Sequence, residues 1–269
     1  MDQNNKELVF LKLGGSLITD KTQPMTPRLD VLERVLQEIQ EAKEQNPLLE
    51  IVLGHGSGSF GHSAAKKFDT RNGVNDEAGW KGFYEVYRAA RELNQLVFET
   101  GQAIDLPLMP IPLCTNASAS QRKVISWNLS PLKQTLQYGF IPLVYGDVVF
   151  DTTLGGTILS TEEIFDHLLS ELNPNRILLA GIEPGIWKDY PENTTIVDEI
   201  RLTTRDENKI NLQSSVATDV TGGMKSKVES MLKIIQQHTS CEIQIFSGNE
   251  AGAVKKVLSG EIIGTRIRA

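Results

Sequence analysis

The sequence predicts an α/β protein built on a parallel sheet, and three observations point there. Short apolar runs recur along the 269 residues, at Leu8–Leu13, Ile51–Leu53, Ile141–Tyr145, Asn175–Ala180 and Glu242–Phe246, each about the length of a buried strand. Segments with apolar residues at helical spacing lie between them. Several runs end in glycine-containing turns, at Gly14-Gly15, Gly54–His62, Gly146-Asp147 and Gly181–Gly185. Strand–helix–strand alternation requires crossovers, and crossovers make a parallel sheet.

In chain order, Leu8–Leu13 is the first buried strand. Arg28–Gln45 is a helix with Leu29, Leu32, Val35, Leu36 and Ile39 on one face. Pro27 sits where a first-turn proline is tolerated, and Asn46-Pro47 ends the helix. Ile51–Leu53 is the second strand. Gly79–Gly101 is a long helix carrying Phe83, Val86, Tyr87, Ala90, Leu93 and Val97 along one side. Leu106–Leu113, interrupted by prolines, reads as an edge strand or a crossover. Pro131–Tyr138 is a short helix. Ile141–Tyr145 is a strand, which Val148–Phe150 extends as a hairpin. Thr161–Leu172 is a helix with Glu162 and Glu163 in its first turn, where the helix dipole favours acids. Asn175–Ala180 is a strand, Met224–His238 a helix, Glu242–Phe246 a strand, Glu250–Leu258 a helix and Ile262–Ile267 a final strand. No repeat, low-complexity segment or linker interrupts this order, so the expectation is one continuous unit of two lobes.

Composition narrows the function. Hydrophobic residues make up 40% and charged residues 23%, an ordinary globular balance. The net charge of −7 gives nucleic-acid binding no electrostatic support. Cys114 and Cys241 are too few for a disulfide framework and fit a reducing compartment. The first residues lack the apolar core of a signal peptide, and no apolar run reaches the roughly 20 residues that span a bilayer. A cytoplasmic protein is expected.

The most informative stretch is Gly54–His62, GHGSGSFGH, launched from a strand. Four glycines in nine residues let backbone N–H groups approach an anion, and two serines and two histidines add polar groups. A simple turn between strand and helix is the plainer reading. Lys12-Leu13-Gly14-Gly15-Ser16 places a positive charge beside a second glycine turn. It is neither a Walker loop nor a dinucleotide fingerprint. Parallel neighbouring strands would bring both turns to one sheet edge. Lys21 follows this turn, as a solvated lysine or a phosphate contact. Asp147 ends a strand, either as a turn former or facing a ligand. Asp219–Lys227, DVTGGMKSK, opens a helix with two lysines in its first turn, either as surface lysines or to meet an anion held there.

Together KLGGSLITDK at Lys12–Lys21, HGSGSFGH at His55–His62, GFYEVYRAARELN at Gly82–Asn94, YGDVVFD at Tyr145–Asp151 and DVTGGMKSK resemble the amino acid kinase family. Within it they resemble the branch acting on isopentenyl phosphate; the histidine-closed loop is shared with fosfomycin-phosphorylating kinases. The resemblance implies a three-layer αβα sandwich around a mostly parallel open sheet. It implies an acceptor lobe over residues 1–172 and a nucleotide lobe over 173–269. The implied reaction takes ATP with Mg²⁺ and isopentenyl phosphate to isopentenyl diphosphate and ADP, in a homodimer with no membrane or nucleic-acid partner.

By the same resemblance, Lys12 would contact the transferring phosphoryl group and Lys21 would help neutralise the nucleotide phosphates. Gly14, Gly15 and Ser16 would cradle those phosphates, with Gly58, Gly181, Gly223 and Lys227 also binding ATP. Gly56, Ser57 and Gly58 would separate donor from acceptor phosphate. His62, Ser160 and Thr161 would bind the acceptor phosphate, and Asp147 would orient Lys12 and Lys21. No protein metal ligand is expected, since the phosphates would hold the ion. Phe83, Val86, Tyr87 and Ala90 are either a prenyl pocket or simply core. Three departures from the pattern stand out, one being Ala180–Gly185 where an acid-rich turn is common, which would leave the nucleotide contacts there mostly to the backbone. Ser57 replaces a frequent glycine, and Thr161-Glu162-Glu163 replaces Gly-Asp-Asp or Gly-Asp-Glu. Rival readings are a kinase of another small acceptor, such as a phosphonate, and a nucleotide-binding sensor without catalysis.

Overall fold

A computed structural model describes residues 6–189, 192–201 and 224–269, with the side chains of 62–64, 224–227 and 229–230 outside the description. The chain runs β1 (Glu7–Leu13), α1 (Gly15–Ile18), α2 (Leu29–Gln45), β2 (Leu49–His55), α3 (Gly58–Phe68) and α4 (Glu77–Ala103). It continues through β3 (Leu108–Pro110), β4 (Ala117–Ser120), β5 (Lys123–Trp127), α5 (Ser130–Gln137), β6 (Ile141–Tyr145), β7 (Asp147–Asp151), β8 (Gly155–Leu159) and α6 (Thr161–Leu172). The last part holds β9 (Arg176–Gly181), β10 (Ile186–Trp187), β11 (Ile196–Val197), β12 (Glu199–Arg201), α7 (Met224–Gln237), β13 (Glu242–Ser247), α8 (Ala253–Leu258) and β14 (Thr265–Arg268).

Eight strands form the main sheet in the order β12-β14-β13-β9-β1-β2-β6-β3. All neighbours are parallel except β13 and β14. Strand alternation sorts the core into two halves. Val9, Leu11, Leu13, Ile51 and Leu53 face α2, α4 and α8, while Phe10, Val52, Ile177 and Leu179 face α5, α6 and α7. The three-layer α/β/α expectation is therefore met. β3 closes one edge, as the proline-interrupted run predicts. A second sheet, β5-β4-β7-β8, contains the expected hairpin after Gly146.

Register decides where a ligand can bind. Lys12 pairs with Gly54 on β2 and Leu179 on β9, and Phe246 of β13 pairs with Ala180. The carboxyl ends of the central strands are thus level, and the turns that leave them share one edge. Several elements were not expected: α1, β4, β5, β10, β11 and β12 fall where the sequence predicts no helix or strand. The second half of the glycine segment is helix: α3 begins at Gly58 and runs on to Phe68. Gly223 lies outside the described residues. The backbones of His62 and Lys227 belong to α3 and α7, and their side chains lie outside the description.

Candidate active site

Two turns meet at the carboxyl ends of β1 and β2, main chain against main chain. A Cβ on Gly15 would lie 2.3 Å from Gly58 N, one on Gly56 2.9 Å from Gly15 N, and one on Gly58 2.7 Å from Gly15 O. Gly58 also takes a positive φ of 49°, open mainly to glycine. Close approach, more than flexibility, is why these positions are glycine.

The contact engages some N–H groups and releases others. Gly14 N donates to Ala180 O at 2.7 Å, and Gly56 N donates to Leu13 O at 3.0 Å. These two amides, expected to hold phosphate, instead tie the turns to the sheet. Among the described residues, the N–H groups of Gly15, Ser16, Ser57 and Gly58 have no protein acceptor, and all four residues line one cleft. Four main-chain donors at the start of two adjacent helices make an anion site, with one pair on each turn.

The cleft encloses about 1100 Å³ of space, part of it open to solvent. Lys12 lines it, 8% exposed, and forms an ion pair with Glu162 at the start of α6. Lys21, Ser160, Thr161 and Gly181 also line it. The donors expected of Ser160 are engaged, however. Its N–H and hydroxyl both donate to Glu163 Oε2, at 2.7 and 2.8 Å, in a capping box. The Thr161 hydroxyl donates to His55 O at 2.6 Å. Ser160 and Thr161 therefore fix the start of α6, and among the described residues the Thr161 N–H has no acceptor.

Two further expectations are corrected. Asp147 does not line the cleft, and the described ion-pair partner of Lys12 is Glu162. The Asp147 carboxyl is fully buried, accepts from Val148 N at 2.8 Å through Oδ1, and has no described partner at Oδ2. Burial, outweighing its backbone hydrogen bonds and Arg91, pushes its pKa up to about 7. His55, the first histidine of the glycine loop, is buried, stacks on Tyr145 at 5.4 Å, and has its pKa pushed down to about 4 by burial. Its ring nitrogens lie 3.2 Å from Gly56 O and from Asn94 Oδ1. Finally, only half of the candidate prenyl pocket faces the cleft. Val86 and Ala90 line it, joined by Ala65, Ile158 and Leu159. Phe83 instead packs with Ala65, Val74 and Cys114 and against Trp80 and Phe150, and Tyr87 receives a hydrogen bond from Arg91 at 3.3 Å.

Sequence reasoning missed Glu162 as the partner of Lys12, although its place in the first turn of a helix was visible. It also missed Arg71, which lines the cleft and donates to Glu163 at 3.2 Å and to Ile158 O at 3.2 Å. Arg71 stands in no motif, and only the tertiary fold brings it there.

Known proteins match this arrangement. The family model described as the amino acid kinase family matches residues 7–247. The isopentenyl phosphate kinase of Methanocaldococcus jannaschii is 34% identical over 97% of this chain and 98% of its own. That of Methanothermobacter thermautotrophicus is 28% identical over 97% and 98%. A crystal structure of isopentenyl phosphate kinase superposes with a TM-score of 0.80 at 26% identity, covering 97% of this chain and all of the other. An isopentenyl phosphate kinase substrate complex, at 22% identity and a TM-score of 0.77, shares the fold. With paired glycine turns, a buried lysine between them and a family match over nearly its whole length, the chain belongs to the amino acid kinase family.

Proposed function

We propose that this chain transfers the γ-phosphoryl group of ATP to isopentenyl phosphate, giving isopentenyl diphosphate and ADP. One observation carries the reading beyond family membership. The four-donor anion site opens directly onto an apolar wall of Ala65, Val86, Ala90, Ile158 and Leu159. A phosphate group with a short hydrocarbon tail has that polarity.

The acceptor oxygen is already anionic near neutral pH, so the reaction needs no strong general base. The obstacle is repulsion between two phosphate groups brought into line, met by fixed donors and positive charge. In this reading the N–H pair of Gly15 and Ser16 holds the donor phosphates. The pair of Ser57 and Gly58 stands between donor and acceptor. Lys12 follows the moving phosphoryl group, exchanging its contact with Glu162 for phosphate oxygen. Lys21, Gly181, Gly223 and Lys227 serve the nucleotide, and His62 the acceptor phosphate. Mg²⁺ would be held by the phosphates of ATP and would supply charge neutralisation there. The residues fit such an ion in one respect: Glu162 is a carboxylate of the cleft lining, and it would face the phosphates and their ion once Lys12 exchanges it for phosphate oxygen.

The reading includes an acceptor lobe over residues 1–172 and a nucleotide lobe over 173–269, joined by the pairing of β1 with β9. It includes a homodimer working in the cytoplasm; no helix among the described residues is long and apolar enough to cross a membrane. A coupled ADP-release assay tests the whole. Isopentenyl, dimethylallyl and geranyl phosphates are compared with fosfomycin and N-acetylglutamate. The highest kcat/KM is expected for isopentenyl phosphate, and preference for fosfomycin or N-acetylglutamate would overturn the proposal.

A further inference from the structure

Thr19 follows α1 and is buried, 1% exposed, outside the cleft lining. Its hydroxyl donates to Gly15 O at 2.6 Å and accepts from Ser59 N at 2.9 Å. Gly15 belongs to one N–H pair, and Ser59 directly follows Gly58 of the other. Ser59, also buried, extends the connection. Its carbonyl accepts from Met25 N at 3.2 Å, and its hydroxyl accepts from Thr26 N at 3.1 Å. Thr26 O in turn accepts from Asp20 N at 2.9 Å, closing the turn that carries Lys21. Both glycine turns and the Lys21 turn thus meet at two hydroxyls. The fit is close: a Cβ on Gly58 would lie 2.0 Å from Thr19 Oγ1.

We propose that Thr19 is a positioning residue for phosphoryl transfer, with Ser59 as its partner. Its hydroxyl sets the spacing between the Gly15-Ser16 and Ser57-Gly58 N–H pairs and ties the Lys21 turn to both. The inference rests on the transfer reading above. ATP alone engages mainly one pair and the acceptor mainly the other. Only the in-line transition state needs both at once, and a misplacement of about 1 Å can cost about 10²-fold in rate. The bridge therefore bears on kcat more than on either KM. A hydroxyl that merely satisfied buried groups would bear on stability alone.

Thr19→Val keeps the shape but puts carbon where oxygen was. A carbon–oxygen contact needs about 3.3 Å or more, so the turns must part by roughly half an ångström. Thr19→Ser keeps the hydroxyl. Thr19→Val is expected to lower kcat about 30-fold with the KM for ATP within about threefold, and Thr19→Ser to recover kcat to within about threefold of wild type. A Thr19→Val enzyme within twofold of wild-type kcat, or a Thr19→Ser enzyme as slow as the valine variant, overturns the proposal. Ser59→Ala, which cuts only the hydroxyl ties to the Lys21 turn, serves where the valine variant does not fold. It is expected to lower kcat about fivefold, and an unchanged kcat refutes the tie. Failure of the wild type on isopentenyl phosphate would refute the function instead. The bridge is then judged by hydrogen exchange at the Ser59 amide, expected to be at least tenfold faster in Thr19→Val than in Thr19→Ser; equal rates overturn it.

Discussion

Replacing Lys12 and Glu162 in turn measures how the cleft manages charge. Each of these side chains is only about a tenth exposed, 11% and 10%, and the two are ion-paired. Lys12→Ala acts in two ways. It removes a positive charge from the path of the phosphoryl group, and losing one such contact costs about 10²–10³ in rate. It also removes the ammonium from beside Glu162, so a carboxylate faces the phosphates. Two unit charges about 5 Å apart at an effective dielectric of about 20 interact by about 3 kcal/mol. A cleft open to solvent and salt reduces that to about 1.4 kcal/mol, or tenfold. Lys12→Ala is therefore expected to lose about 10³–10⁴ in kcat. Lys12→Ala/Glu162→Gln is expected to regain about tenfold over the single variant, a coupling read directly from the double-mutant cycle. Coupled ADP release at saturating ATP and isopentenyl phosphate gives kcat, and circular dichroism checks the fold. A double variant no faster than Lys12→Ala would refute the reasoning, as would a Lys12→Ala enzyme with near-wild-type turnover.

Asp147 predicts a pH dependence of stability. Its folded pKa is raised from 3.8 to about 7, so the folded protein holds a proton that the unfolded chain releases, and stability falls as pH rises between those values. Asp147→Asn removes the ionisation, so urea unfolding at pH 5 and pH 7.5 is expected to show the variant gaining about 2–3 kcal/mol relative to wild type; the opposite trend would contradict a buried neutral acid. The cleft wall predicts specificity. Ala90→Leu fills the apolar side and is expected to lower kcat/KM for isopentenyl phosphate at least tenfold while leaving the KM for ATP nearly unchanged; an equal loss on ATP would place Ala90 elsewhere.

Where the periodicity was strong, it carried through. Leu32, Val35, Leu36 and Ile39 give α2 its buried apolar stripe, whereas Leu29, expected on the same face, is 51% exposed at the first position of the helix, one residue from where the pattern places the start. Thr161–Leu172 is helix over the full expected range because Ser160 and Glu163 cap it reciprocally. β4 and β5 escaped notice for a physical reason. Ala117–Ser120 reads ASAS, with no large apolar residue to alternate, and its strand character comes from pairing with β5 and β7. The glycine turns were legible as an anion site in composition. Which amides were free was not, because Gly14 and Gly56 donate to Ala180 and Leu13 on neighbouring strands, and only the assembled sheet decides that. Asp147 misled because a strand end can point its side chain into the core as readily as toward a ligand.

The cleft floor of Gly15, Ser16, Ser57 and Gly58 is made of main-chain amides, and an amide has no proton to gain or lose in the working pH range. Such a floor is silent to pH. Any acidity profile of acceptor binding therefore belongs to the acceptor itself, whose phosphate takes its second negative charge near pH 6, and to the cations around it. The floor adds nothing to that profile, and His62, given above to the acceptor phosphate, is the side chain through which the protein would add a dependence of its own.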